Sequence, residues 1–174
     1  AKIVDYKGKV VAMIGFRAFA DNEEKVRGFC DMLRAIAPGI EVEKIYETFE
    51  LEENAYRYTR KAIEEIPGLV GIYVGTANSP GVCRALMDTG KNGIIKVIAT
   101  DIFEDNSKYI KDGTIYATIY QSPFMQGYNS IHILYQNITS KKSFPNVCYV
   151  KTEVVMKSNL DFYESNSNIY FLEE

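Results

Sequence analysis

The sequence lacks nearly every motif that announces a chemistry. It has no GxSxG elbow, no phosphate-binding P-loop, no HExxH and no strand-turn-helix GxGxxG. Hydrolase, nucleotidase, zinc-peptidase and dinucleotide-enzyme readings each miss their physical parts, so a non-enzymatic chain is expected. Cysteine is sparse: Cys30, Cys83 and Cys148 stand far apart, in no CxxC or zinc-ligand spacing. Each lies in an apolar pattern, which points to reduced thiols in a cytoplasmic protein and implies neither metal nor cofactor. The one histidine, His132, sits in a helical run away from any carboxylate pattern and reads as a packing or surface residue. Charge of either sign is unclustered and the formal net charge is −3, which gives no pull toward nucleic acid or an anionic membrane. Internal repeats, low-complexity tracts, a signal-peptide pattern and a membrane span are also missing. The chain opens on Ala1 and runs directly into strand residues, so further sequence upstream is expected; the sequon Asn137-Ile138-Thr139 matters only in a secreted chain.

What remains is an ordinary apolar balance, 47% over 174 residues, enough for one good core. Lys9 to Gly15 is a continuous β-branched and apolar run, as in a strand buried on both faces. Asp21 and Glu24 have capping-box spacing, and Val26, Phe29, Cys30, Leu33 and Ile36 follow at helical intervals until Pro38-Gly39. Ile40 to Ile45 alternates like an edge strand, and Glu52 to Ile66 forms a helix with Ala55, Thr59, Ala62 and Ile66 on one face. Leu69–Val74 and Ile94–Ala99 are further strands, separated by a helix that Ser79 caps and Pro80 starts. A short helix, Glu104 to Lys111, precedes the turn Asp112-Gly113 and another strand. Ser122-Pro123 opens a helix to about Ile138, with the stripe Phe124, Tyr128, Ile131, Tyr135 and Ile138, and Val147 to Met156 reads as a last strand. Such alternation predicts an α/β fold: three layers, a mostly parallel sheet with helices on both faces and right-handed crossovers.

Ligands of open α/β sheets bind beyond the carboxyl ends of the strands. In the stretch IATDIFEDNSKYIKDGTIYATIYQSP, Asp101 and Gln121 stand at the tips of two neighbouring strands, where each can reach a small molecule. The loop from Gly75 to Pro80 opens a helix after a strand, so its N–H groups can meet a polar ligand, though small residues there also simply make a tight turn. Asp101 as a helix cap and Gln121 as a loop hydrogen-bonder are the plainer alternatives.

The string from Gly71 to Leu134, GIYVGTANSPGVCRALMDTGKNGIIKVIATDIFEDNSKYIKDGTIYATIYQSPFMQGYNSIHIL, resembles the C-terminal half of the type I periplasmic-binding-protein fold. That fold occurs in lactose/galactose-repressor (LacI/GalR) transcriptional regulators and in sugar-binding proteins of ABC importers. Lys25-Val26-Arg27-Gly28-Phe29 is similar to the family's R-x-x-G-F helix, and Val154-Val155-Met156-Lys157-Ser158-Asn159 to the closing strand of the regulators. The resemblance implies that Asp101 accepts hydrogen bonds from ligand hydroxyls, that Gln121 adds a donor and an acceptor near the hinge, and that Phe49 offers a ring to the apolar face of a sugar. It also implies ligand contacts at Lys25, where the family has Arg, with Arg27 as a substitute, and at Thr76 or Asn78.

On this resemblance residues 1–159 form the C-terminal lobe of an effector-binding domain, the 123–138 helix belongs to a missing N-terminal lobe, and 160–174 is a tail. The expected protein is a cytoplasmic, homodimeric regulator whose lobes close on a sugar-like effector and so alter operator DNA binding through a missing N-terminal domain. The alternative is a sugar-binding protein or sensor domain of an ABC importer or kinase, which would share the cleft. A flavodoxin-like enzyme or response module would need a phosphate loop or an acidic phosphoacceptor cluster, and Asp101 alone supplies neither. Without its missing lobe, the 123–138 stripe is expected to fold back onto the sheet or to pack against a second copy.

Overall fold

A computed structural model describes residues 1–165. After a 3-10 turn at Lys2–Val4, the elements run β1 (Gly8–Ile14), α1 (Ala20–Ile36), β2 (Ile40–Glu47), α2 (Glu52–Glu65), β3 (Leu69–Val74), α3 (Ser79–Asp88), β4 (Lys96–Thr100), α4 (Glu104–Lys111), β5 (Ile115–Tyr120), α5 (Pro123–Ser140), β6 (Glu153–Val155) and α6 (Leu160–Ser165). The strands form one sheet in the order β2-β1-β3-β4-β5-β6. The first five are mutually parallel, and β6 lies antiparallel on β5.

Successive side chains of a strand face opposite sides, and β1 shows the consequence. Val11 and Met13 join the larger core with Ala55 and Ala62 from α2, Ile66 just past it, Val82, Cys83 and Leu86 from α3, and Tyr109 and Ile110 from α4. Val10 packs the other way, with Leu33 and Ala37 near the end of α1 and with Ile40. Helices thus cover both faces, as the expected fold class requires, with α1 and the opening 3-10 turn on the second face. The apolar face expected on α2 is the one it buries: Ala55, Thr59, Ala62 and, just past its end, Ile66.

Four expectations need correction. Asp21 is no helix cap: α1 starts at Ala20 after Phe19, with no side-chain cap, because Asn22 instead donates to the Phe16 carbonyl at 3.0 Å and ties the loop to the first turn. Ile36 leaves the α1 stripe and is exposed. Asn78, not Ser79, is the cap position of α3, and Ser79 is its buried first residue. The closing strand shrinks from Val147–Met156 to three residues, since β6 finds partners only in Thr118–Tyr120 and only Val155 reaches the core. The preceding segment is irregular, and Tyr149 is almost wholly exposed.

The tail expected from residue 160 begins as α6, anchored by buried Leu160, while 166–174 lie outside the described residues. α5 has no buried residue and does not fold back onto the sheet. Among the described residues no helix is long and apolar enough to cross a membrane.

Candidate functional site

The loops that follow β1, β2, β3, β4 and β5 meet at the carboxyl end of the sheet and enclose an open cleft. Lys25, Thr76, Asp101 and Gln121 line it, together with Phe19, Asp21, Asn22, Glu50, Phe103 and Pro123. Four of the six residues singled out in the sequence therefore share one concavity.

Asp101 is held by three elements. Its backbone is left-handed, with φ of 60°, a region that Asp enters more readily than most residues. Its N–H donates to the Ile119 carbonyl at 2.9 Å, and its own carbonyl accepts from Thr118 Oγ1 at 2.7 Å and Asn106 Nδ2 at 3.2 Å. The carboxylate is aimed at β5: Oδ1 accepts from the Gln121 N–H and Oδ2 from Gln121 Nε2, both at 2.8 Å. It does not cap α4, because Asn106 Oδ1 takes the Phe103 N–H at 3.0 Å and performs that task. Asp101 and Gln121 thus form one rigid acceptor and donor pair with lone pairs and the amide oxygen left for a ligand.

The opposite wall follows from β2. Phe49 and Glu50 are both left-handed, with φ of 57° and 56°. With Asp101 and Ser122 they make four of the seven such non-glycine residues described, so backbone strain concentrates on the cleft rim, as it does at ligand clamps. Thr48 anchors this turn: its Oγ1 donates to the Ile14 carbonyl at 3.0 Å and accepts from Asn78 Nδ2 at 3.0 Å. The turn lays Glu50 inward, where Oε2 accepts from Thr76 Oγ1 at 2.6 Å. Thr76 is buried and Lys25 half-buried, its Nζ lying 3.3 Å from Asp21 Oδ2.

Two sequence candidates lie apart from the lining. Asn78 is buried, its amide donating to Thr48 as a brace between the β2 and β3 loops. Phe49 is exposed at the rim, edge-on to Phe16 with ring centres 5.4 Å apart, and Phe16 in turn contacts Phe19 at 5.3 Å. Arg27, the substitute for the family arginine, pairs with Glu24 on the solvent side and is not among the lining residues. Sequence reasoning missed Glu50, Asn22 and Phe103. Glu50 follows Phe49 directly, but only the left-handed turn, which periodicity does not report, sends it inward. Among the described residues no group of three His, Cys, Asp or Glu side chains could hold a metal.

A family model for the periplasmic binding protein domain matches residues 1–142. The fold and chain are similar to GanP, a glucose-galactose binding protein from Geobacillus stearothermophilus, at 25% identity and a TM-score of 0.86 over 92% of this chain and 57% of that one. A periplasmic solute binding protein of an ABC transporter from Actinobacillus succinogenes, with bound D-allose, gives 27% identity and 0.83 over 94% and 58%. One from Agrobacterium vitis with bound D-fucose gives 25% and 0.86 over 95% and 57%. The chain thus spans under three-fifths of the length of these structures. No curated protein matches it.

Proposed function

Because the chain belongs to the periplasmic binding protein domain family, we propose that it is one lobe of a two-lobed protein that binds a sugar without converting it, as the solute-binding or sensor component of a transport system. The observation that carries this reading is the Asp101–Gln121 pair at the carboxyl end of the sheet, bonded twice at 2.8 Å and facing an open cleft. Adjacent sugar hydroxyls each donate and accept, so a carboxylate beside an amide matches them in a way that it matches no purely apolar or purely anionic ligand. The rings of Phe103 and Phe19 in the same lining can meet the apolar face of a pyranose.

The transport reading stands ahead of the regulator reading because the similar proteins named above bind sugars for ABC transporters or are named as sugar-binding proteins. It places the protein outside the cytoplasm. A LacI/GalR-type regulator would use the same cleft, and its support is the regulator-like segment Val154 to Asn159 at the end of the sheet; operator DNA and a homodimer belong to that second reading. On either reading a ligand drives closure by binding the closed arrangement more tightly than the open one.

Calorimetric titration of the intact protein with D-glucose, D-galactose and D-allose tests the assignment. Asp101→Ala and Gln121→Ala are expected to weaken binding by about 1–3 kcal/mol each, since each leaves ligand polar groups unpaired. The double variant should lose less than the sum, because the two side chains act as one bonded unit. Unchanged affinity in both single variants would sink the site assignment. Product analysis after long incubation should find the sugar unaltered.

A further inference from the structure

Glu50 occupies a place that only glycine leaves open. A Cβ added at Gly15, where β1 ends, would collide with Glu50 Oε1, so the carboxylate sits directly above the strand tip. Its other oxygen reaches across to β3 and accepts from Thr76 Oγ1 at 2.6 Å. The headgroup therefore spans the ends of β1 and β3, and β3 lies beside β4, the strand that leads into Asp101. Among the described residues Thr76 is the one hydrogen-bond donor to Glu50, and neither Glu50 nor Asp101 has a cation in salt-bridge range. Lys25 is the one basic residue in the lining among the described residues, and it lies against Asp21.

We propose that Glu50 is a specificity-determining residue of the cleft, whose carboxylate receives a hydroxyl or ammonium hydrogen of the ligand and turns away sugars that carry an acid or phosphate group. This inference rests on the sugar-binding reading. A carboxylate only accepts hydrogen bonds, so a ligand that covers Glu50 must bring a donor to it or leave it desolvated and unpaired. An anionic group there meets the Glu50 carboxylate, with Asp101 in the same lining and no cation paired to either, in a site from which closure removes water, the condition under which like charges repel most. A neutral polyol satisfies Glu50 with one hydroxyl, and an amino sugar satisfies it with charge as well.

The test is calorimetry on the intact protein with D-glucose, D-glucosamine and D-glucuronate and the corresponding galactose set. Wild type should bind the acids at least about tenfold more weakly than the neutral sugars. Glu50→Gln keeps the size of the side chain and an acceptor for Thr76. It should weaken the neutral sugar and shift the amino-to-acid affinity ratio at least about tenfold toward the acid. Gly15→Ala keeps the charge but pushes it off its seat, since the clash is with the mobile end of a side chain, and should weaken the neutral sugar as Glu50→Gln does. If a neutral sugar binds and Glu50→Gln leaves the ratio unchanged, or if wild type prefers the acids, the inference is wrong while the sugar reading stands. An equal loss for all ligands with a lowered melting temperature gives Glu50 a structural role only and also overturns it. Failure of wild type to bind any of the six sugars would remove the sugar reading, and this inference with it.

Discussion

At the scale of single residues, burial divides the three cysteines. Cys83 is fully buried in the core between α3 and the sheet, and burial pushes its thiol far above the ordinary range. The thiolate is the reacting species, so a buried thiol held in its neutral form is inert twice over, by access and by protonation. Cys30 is half-buried and shifted upward for the same first reason, whereas Cys148 is exposed in the irregular segment before β6. A thiol reagent at pH 8 should therefore label Cys148 first, Cys30 more slowly and Cys83 only with global unfolding; mass spectrometry of the labelled peptides reads the order. Rapid native labelling of Cys83 would contradict the packing of α3. The same scale marks what sequence could reach at the cleft. Asp101 and Gln121 were legible because strand tips follow from apolar runs, and both strands end where those runs do. Glu50 was not, because its direction depends on two consecutive left-handed residues that no apolar period encodes.

At the scale of elements, α6 is the shortest α-helix among the described residues and the most informative about what holds the cleft loop. Leu160 is buried, Tyr163 meets Tyr120 edge-on with ring centres 5.3 Å apart, and Glu164 reaches α4, with Lys111 Nζ at 2.8 Å from Oε2 and a hydrogen bond from Ser107 Oγ. α4 starts three residues after Asp101, so this clamp fixes the base of the cleft loop. The Lys111 contact first, and the Ser107 bond second, hold the Glu164 carboxyl below its ordinary range. A carboxyl so lowered favours the folded state at neutral pH, and that contribution vanishes as pH falls through its folded-state value. Glu164→Gln should lower the melting temperature at pH 7, by an amount matching about 1 kcal/mol or less for a partly exposed pair, and the gap from wild type should close as the solution is made progressively more acid. A difference that persists in acid would mean that the clamp works by shape rather than charge. Elements bounded by local chemistry were read closely: α4 runs from Glu104 to Lys111 as expected, stopped by Gly113 with φ of 85°. The Val147–Met156 run was not, because a strand needs a partner as well as a pattern. Only three residues of β5 pair with it.

At the scale of the whole molecule, α5 is a helix without a protein to rest on. It leaves the sheet at Ser122, immediately after Gln121, and none of its residues is buried. Ile131, Tyr135 and Ile138 are each more than three-fifths exposed, and Leu134 more than half. Contiguous apolar faces of this kind mark contact surfaces on stable proteins. The chain spans under three-fifths of the length of the sugar-binding proteins it resembles, and a second lobe of the intact protein is the cover we expect for α5 there. Among the described residues no part of this chain buries any residue of α5. Burying four large side chains is worth several kcal/mol at roughly 25 cal/mol per Å², enough to offset much of the entropy lost on association. A two-fold arrangement with α5 against its copy is the simplest closed solution. Light scattering on the isolated chain at about 100 µM should thus give a mass above the monomer, and Ile131→Lys with Tyr135→Lys should restore the monomer, because two desolvated ammonium groups per face cost more than the remaining apolar contact returns. The pair leaves the sheet untouched, so far-ultraviolet circular dichroism should not change. A monomeric wild-type chain at that concentration would show that α5 tolerates water, and the coupling drawn between this helix and a second lobe would lose its physical ground.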